Sequence, residues 1–173
     1  SSACFSLINK KISYFISLVK QTTSKALVMD INFCRRVDSC LGPFLCRSLL
    51  FLPAGNERFL KSALNGSADV ILLDLEDAIS HSEKDRARER VGGAVLQVHE
   101  AGRVCAVRVN NGLRLLAKDL EAVVCAELSA LIIPKVSSAE YLQLIDEAVT
   151  ELEHERGIPM GNIRLVAQIE TAQ

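Results

Sequence analysis

From about residue 47 onward the chain predicts a parallel α/β fold, and three observations carry that expectation. Five apolar runs recur: SLLFLP (48–53), VILLDLED (70–77), VCAVRV (104–109), ALIIPKV (130–136) and IRLVAQIE (163–170). Their Val, Ile and Leu residues are near-continuous rather than alternating, as in strands covered on both faces. The runs start roughly 20 to 35 residues apart, the length of one strand–helix unit, and stretches of helical periodicity fill the gaps.

Each element has its own signal. The first run closes on Pro53, Ala54, Gly55 and Asn56, which are turn and cap residues, and a short helix is expected over 57–65. The second leads to a helix over 82–100 with Ala87, Val91, Val95 and Val98 inward. Gly92 and Gly93 weaken that helix by roughly 1 kcal/mol each relative to alanine. The third run precedes a helix over 115–127. The fourth precedes the clearest helix, 138–156, striped by Tyr141, Leu142, Ile145, Ala148, Val149 and Leu152. Ser137 and Glu140 make a capping-box pattern at its start, and Gly157 with Pro159 supplies the stop. Right-handed crossovers would join the strands into one continuous parallel sheet. Periodicity leaves two architectures open, a doubly wound sheet and an incomplete barrel.

Residues 1–42 differ in character. They carry Lys10, Lys11, Lys20, Lys25, Arg35 and Arg36 against Asp30 and Asp38, with many Ser and Thr. That composition is expected of a targeting-like (transit) segment or of a non-homologous extension without a folded role. The apolar stretch 7–19 is broken by Lys10 and Lys11 and is too short to span a bilayer. Over the whole chain the net charge is −1, so no basic footprint points to nucleic acid or to an anionic membrane as partner. The six cysteines form no CxxC pair, and Cys105 and Cys125 lie in apolar runs, where a free thiol behaves as a small hydrophobe. A reducing compartment follows: cytoplasmic, with a mitochondrial location as the alternative.

In parallel α/β proteins chemistry sits at the carboxyl ends of the strands. The polar residues there are Asn56, Asp74, Glu76, Asp77, Arg108, Asn110, Lys135, Glu170 and Thr171. Carboxylates, a guanidinium and an amine at one rim suit a divalent cation with an anionic substrate. Glu170 is the best single metal candidate, though it could instead pair with Arg108 or Lys135. Arg108 offers a planar fork for a substrate carboxylate, or a partner for Glu76 or Asp77 within the sheet. Glu76 and Asp77 could order metal-bound groups or cap a helix. His81, His99 and His154 have no ligand spacing and read as surface, and Asn65–Gly66–Ser67 reads as a turn. Neither GxGxxG nor a Walker A motif is present, so nucleotide sites lack support.

Taken in order, RSLLFLPAGNERFLKSAL (47–64), ADVILLDLEDAIS (68–80), KDRAR (84–88), VRVN (107–110), LIIPKVSSAE (131–140) and IETA (169–172) resemble the HpcH/HpaI aldolase and citrate lyase family. DLEDA favours its citrate lyase β-subunit-like branch of CoA ester lyases. The resemblance covers 47–173 and implies about the first five βα units of an incomplete (β/α)8 TIM barrel, with a partial lyase domain at 43–173. It implies a Mg2+-dependent carbon–carbon lyase acting on a 3-hydroxyacyl-CoA, of citryl, malyl or citramalyl type, to give a thioester and a keto acid. Acyl-CoA and keto acid would be its partners, and the full-length form a homo-oligomer. Glu170 matches the family's metal ligand, Arg108 the arginine that holds the keto-acid carboxylate, and Glu76 and Asp77 the acidic pair of the catalytic site. Arg47 matches a contact to the CoA portion. A second metal ligand and a C-terminal acid/base would lie beyond Gln173, so the chain as given is expected to be a fragment with little or no activity. The alternative is a non-catalytic α/β fragment that binds a small carboxylated or phosphorylated ligand.

Overall fold

The computed structural model describes residues 12–15, as backbone, and residues 46–170. Cys4, Cys34, Cys40, Thr171 and the basic residues of the extension lie outside the described residues. The elements in chain order are β1 (Ile12–Phe15), β2 (Leu49–Pro53), α1 (Glu57–Leu64), β3 (Val70–Asp74), α2 (Lys84–Glu100), β4 (Val104–Arg108), α3 (Leu113–Val123), β5 (Ala130–Ile133), α4 (Ala139–Glu155) and β6 (Arg164–Gln168).

Every strand pair is parallel, and the sheet runs β1-β6-β5-β4-β3-β2. From β2 to β6, spatial order follows chain order. A doubly wound sheet reverses at its switch point, and this one does not. The placement of the helices completes the distinction. Leu60 of α1, Val91 and Val95 of α2, Leu120 of α3, and Ile145 and Val149 of α4 all pack into one cluster with Ile71, Val107, Leu131 and Leu165. Alternate strand residues form a second cluster on the opposite face: Val70, Leu72, Ala106, Ala130 and Ile132, with Phe51 and Val166 against it. That second cluster contains no helix residue. Helices on one side and a strand-only layer on the other make this the first five units of a parallel (β/α)8 barrel, with its inner layer in place. β3 is buried along its whole length, as the unbroken VILLD run requires. Truncating a core side chain such as Leu131, which is fully buried, would cost about 2–5 kcal/mol.

A sixth strand joins the five expected. β1 lies in the extension and pairs with β6, Ile12 opposite Leu165 and Phe15 opposite Gln168.

Local chemistry sets the helix boundaries, with three departures from the sequence expectation. Asn56 caps α1, its side chain accepting from Phe59 N at 3.2 Å. The cap of α4 is Ser138, accepting from Tyr141 N at 3.3 Å, one residue later than the Ser137 expected. α2 begins at Lys84 because His81–Glu83 forms a 3-10 turn first. α3 ends at Val123, short of the expected 127, because Val124 takes up extended backbone. α2 and α4 both stop on a glycine in the left-handed region, Gly102 and Gly157. There the two N–H groups after each cap fold back onto the last-turn carbonyls, as Arg103 N does onto Val98 O and Ile158 N onto Glu153 O.

Candidate functional site

Strand register brings the polar ends together. Pro53 lies opposite Asp74, Asp74 opposite Arg108, Arg108 opposite Ile132, and Ile132 opposite Val166. In period-2 terms Asp74 and Arg108 continue the inward rows Val70–Leu72 and Val104–Ala106, so they cap the strand-only layer at its carboxyl end.

Arg108 is clamped. Its Nε donates to Asp74 Oδ1 at 2.8 Å and its Nη2 to Asp74 Oδ2 at 2.7 Å. The guanidinium also sits 5.3 Å from the centroid of the Phe51 ring. Its Nη1 lies 3.4 Å from Glu76 Oε2, and Nη2 lies 3.7 Å from Asp77 Oδ2. Burial alone would lower the Arg108 pKa, but the hydrogen bonds and charge of Asp74, with Glu76 and Asp77, raise it above its ordinary value. Asp74 itself accepts from Glu76 N at 2.9 Å and Ala78 N at 3.0 Å, so one carboxylate fixes both the arginine and the turn that follows β3.

Glu76 is buried and unevenly satisfied. Its Oε1 accepts from Lys135 Nζ at 2.8 Å, whereas its Oε2 has no hydrogen-bond partner. The bond to Glu76 raises the Lys135 pKa, helped by the charges of Glu76, Asp77 and Glu170. Lys135 is also the one described non-glycine residue in the left-handed region, at φ 53. That conformation costs a side-chain-bearing residue about 1–2 kcal/mol. Glu170, just past β6, is exposed. Its pKa is raised by partial desolvation of the carboxyl and then by the charge of Glu76, against the pull of Arg108 and Lys135. Arg108, Glu76, Asp77, Lys135 and Glu170 therefore share one mouth.

A buried polar layer beneath the mouth went unread in the sequence. Lys84 donates to the carbonyls of Leu75 at 2.8 Å and Glu76 at 2.7 Å, and burial lowers its pKa. Asn110 Nδ2 reaches Leu75 O at 3.0 Å and Asp119 Oδ2 at 2.7 Å. Arg88 Nε closes the network on Asp119 Oδ1 at 2.6 Å. These bonds tie α2 and α3 to the ends of β3 and β4. Asp119 stands on the buried stripe of α3 between Leu116 and Leu120, and a carboxylate on an apolar stripe is the signal that marks it.

Arg47 stands apart from the other residues named from the sequence. It precedes β2 and so lies at the amino ends of the strands, opposite the mouth. Its Nε and Nη2 are spent on Asp69 at 3.1 and 2.8 Å, because both residues enter adjacent parallel strands at the same level. The three histidines expected at the surface are exposed.

Four carboxylates (Asp74, Glu76, Asp77, Glu170) face two cations (Arg108, Lys135) at the mouth, an excess of two negative charges. With one Glu76 oxygen accepting no hydrogen bond, this all-oxygen donor set fits a hard divalent ion completed by water or ligand oxygens. Among the described residues no three His, Cys, Asp or Glu side chains are grouped to hold a metal. An open groove of about 660 Å3, lined by Asn56, Ile79, Arg86 and Arg90 among others, adjoins the β2–α1 loop and does not include the Arg108 cluster.

An incomplete parallel α/β barrel whose carboxyl-end mouth gathers acids around a clamped arginine defines the class of protein. Residues 47–173 match the family model HpcH/HpaI aldolase/citrate lyase, and the chain belongs to that family. It is 35% identical over 129 residues to citrate lyase subunit beta of Leuconostoc mesenteroides subsp. cremoris, covering 74% of this chain and 43% of that protein. It is 38% identical over 128 residues to (3S)-malyl-CoA thioesterase of Cereibacter sphaeroides, covering 73% and 41%. The chain thus spans less than half the length of the curated relatives it matches. Among solved structures, Haloferax volcanii malate synthase in a magnesium/glyoxylate complex superposes with a TM-score of 0.66 at 19% identity, covering 76% of this chain and 44% of that one, a likeness of fold.

Proposed function

We propose that residues 43–173 are the N-terminal part of a Mg2+-dependent carbon–carbon lyase acting on a 3-hydroxyacyl-CoA of citryl, malyl or citramalyl type. Its products are a thioester and a keto acid. The relatives named above are a citrate lyase subunit and a malyl-CoA thioesterase, which supports a CoA-ester substrate. The observation that carries the reading is a mouth with excess negative charge in which the buried Oε2 of Glu76 is ion-paired with Arg108 at 3.4 Å but accepts no hydrogen bond. A buried oxygen without a hydrogen bond carries a desolvation cost of about 1–3 kcal/mol at most, which a bound cation would offset.

Glu170 and Glu76 would hold the ion. When bound, it supplies Lewis-acid polarisation of a substrate oxygen. The protein's own groups do the rest. Asp74 holds Arg108 rigid through Nε and Nη2, so Nη1, which stands 3.4 Å from Glu76 Oε2, is the guanidinium nitrogen not bonded to Asp74 and would meet the keto-acid carboxylate. Such preorganised charge favours the developing anion without reorganisation. Asp77, exposed at the rim, would order water beside a bound ion. The setting is an aqueous compartment, cytoplasmic in our reading, and among the described residues no helix is long and apolar enough to cross a membrane.

The test is cleavage of a panel of 3-hydroxyacyl-CoA esters by the full-length form, with and without Mg2+ and with Glu170→Ala. Turnover that needs both the ion and Glu170 is expected. Unchanged turnover in Glu170→Ala removes the metal assignment. No turnover on any ester, with retained binding of a small carboxylate, favours a non-catalytic ligand-binding α/β unit.

A further inference from the structure

The cation that an incoming anion meets first at this mouth is not the one singled out by sequence. Arg108 is 11% exposed, its Nε and Nη2 are committed to Asp74, and Phe51 lies against its guanidinium. Lys135 is 46% exposed and makes one hydrogen bond, from Nζ to Glu76 Oε1. An ammonium has three protons to donate, so two remain for the open side of the mouth.

The backbone supports the same conclusion. Lys135 follows Pro134 at the end of β5 and holds φ 53, which glycine would adopt freely. Strain of this kind persists where the surroundings over-determine it, and it clusters at ligand clamps.

We propose that Lys135 is a substrate-binding residue that contacts the carboxylate of the keto-acid half directly, beside Arg108, and is presented to it by the left-handed turn after β5. This rests on the keto-acid reading of the mouth given above. Glu76 holds the ammonium in place, and Asp77 and Glu170 confine the anion to the side where the two cations stand. The ligand class that follows is a short 2-keto acid whose carboxylate bridges a guanidinium N–H and an ammonium.

The experiment is titration of pyruvate into the full-length form in the presence of Mg2+, followed by amide chemical shifts, with Lys135→Gly and Lys135→Arg alongside. The glycine variant keeps the turn without strain and removes only the side chain, so it is expected to fold at least as well. It should lose about tenfold or more in pyruvate affinity, the worth of one charge-assisted hydrogen bond. The arginine variant should recover most of that loss. Pyruvate binding equally well to the parent and to Lys135→Gly would overturn the proposal and leave Lys135 as a partner of Glu76 alone. If the parent binds no pyruvate at the mouth, the keto-acid reading falls, and the role of Lys135 with it.

Discussion

Replacing Asp74 with asparagine isolates the clamp on which the geometry of the mouth depends. Asp74 is 2% exposed and accepts four hydrogen bonds, two from Arg108 and one each from the backbone of Glu76 and Ala78. The asparagine amide has nearly the same shape, so no cavity forms. Its one oxygen can serve at most half of those donors, and its NH2 faces donors it cannot satisfy. Removing one partner of a buried ion pair costs about 3–5 kcal/mol, because the other charge is left uncompensated. Glu76 and Asp77 stand 3.4 and 3.7 Å from the Arg108 guanidinium and would take up part of that charge, which puts the expected loss near the lower end, about 3 kcal/mol. Urea unfolding of the parent, Asp74→Asn, Arg108→Gln and the double variant gives the coupling directly. The pair should show a coupling of about 1.5 kcal/mol or more. Additive losses would mean that Asp74 and Arg108 do not hold each other, and the rigid-arginine argument would fail.

Two other perturbations probe independent parts of the molecule. Burial pushes the Cys105 thiol up to about 12 from an ordinary 9.0, so the folded protein keeps a proton that the unfolded chain gives up. The resulting stability is whole below pH 9.0 and is lost as the pH climbs toward 12. Between about pH 8.5 and about pH 10.5 the parent should therefore lose about 2 kcal/mol more than Cys105→Ala, and parallel urea-unfolding curves for the two would contradict the burial of that thiol. Arg47→Ala removes a pair at the amino ends of the strands, so it should lower stability slightly and leave pyruvate affinity untouched. A drop in pyruvate affinity would show that the amino-end pair is coupled to the mouth.

The fold was largely legible because its signals are one-dimensional. Unbroken apolar runs such as VILLD need two covered faces, and five of them at βα spacing leave few alternatives. The choice between open sheet and barrel was legible from the family resemblance but not from periodicity, since it depends on strand order and on which side the helices take. The unreversed strand order and the separation of Leu72 and Ala106 from every helix residue decide it. At the site, the rim residues could be named but not their pairing. The Asp74–Arg108 register follows from two five-residue strands starting level at Val70 and Val104, and strand starts are uncertain by about two residues from sequence. Which end of the sheet Arg47 occupies follows only from the direction of the strand it precedes. The left-handed backbone of Lys135 has no sequence marker, because the residue adopting it is not a glycine.

Paramagnetic relaxation by Mn2+, standing in for Mg2+, tests the central claim most directly. Amide resonances of Asp77, Asn110, Val136 and Glu170 should broaden first, while those of Ser48, Asp69 and Arg103 at the other end of the sheet stay sharp. Broadening centred on Asp69, or spread evenly over surface carboxylates, would contradict a cation site at the carboxyl ends of the strands.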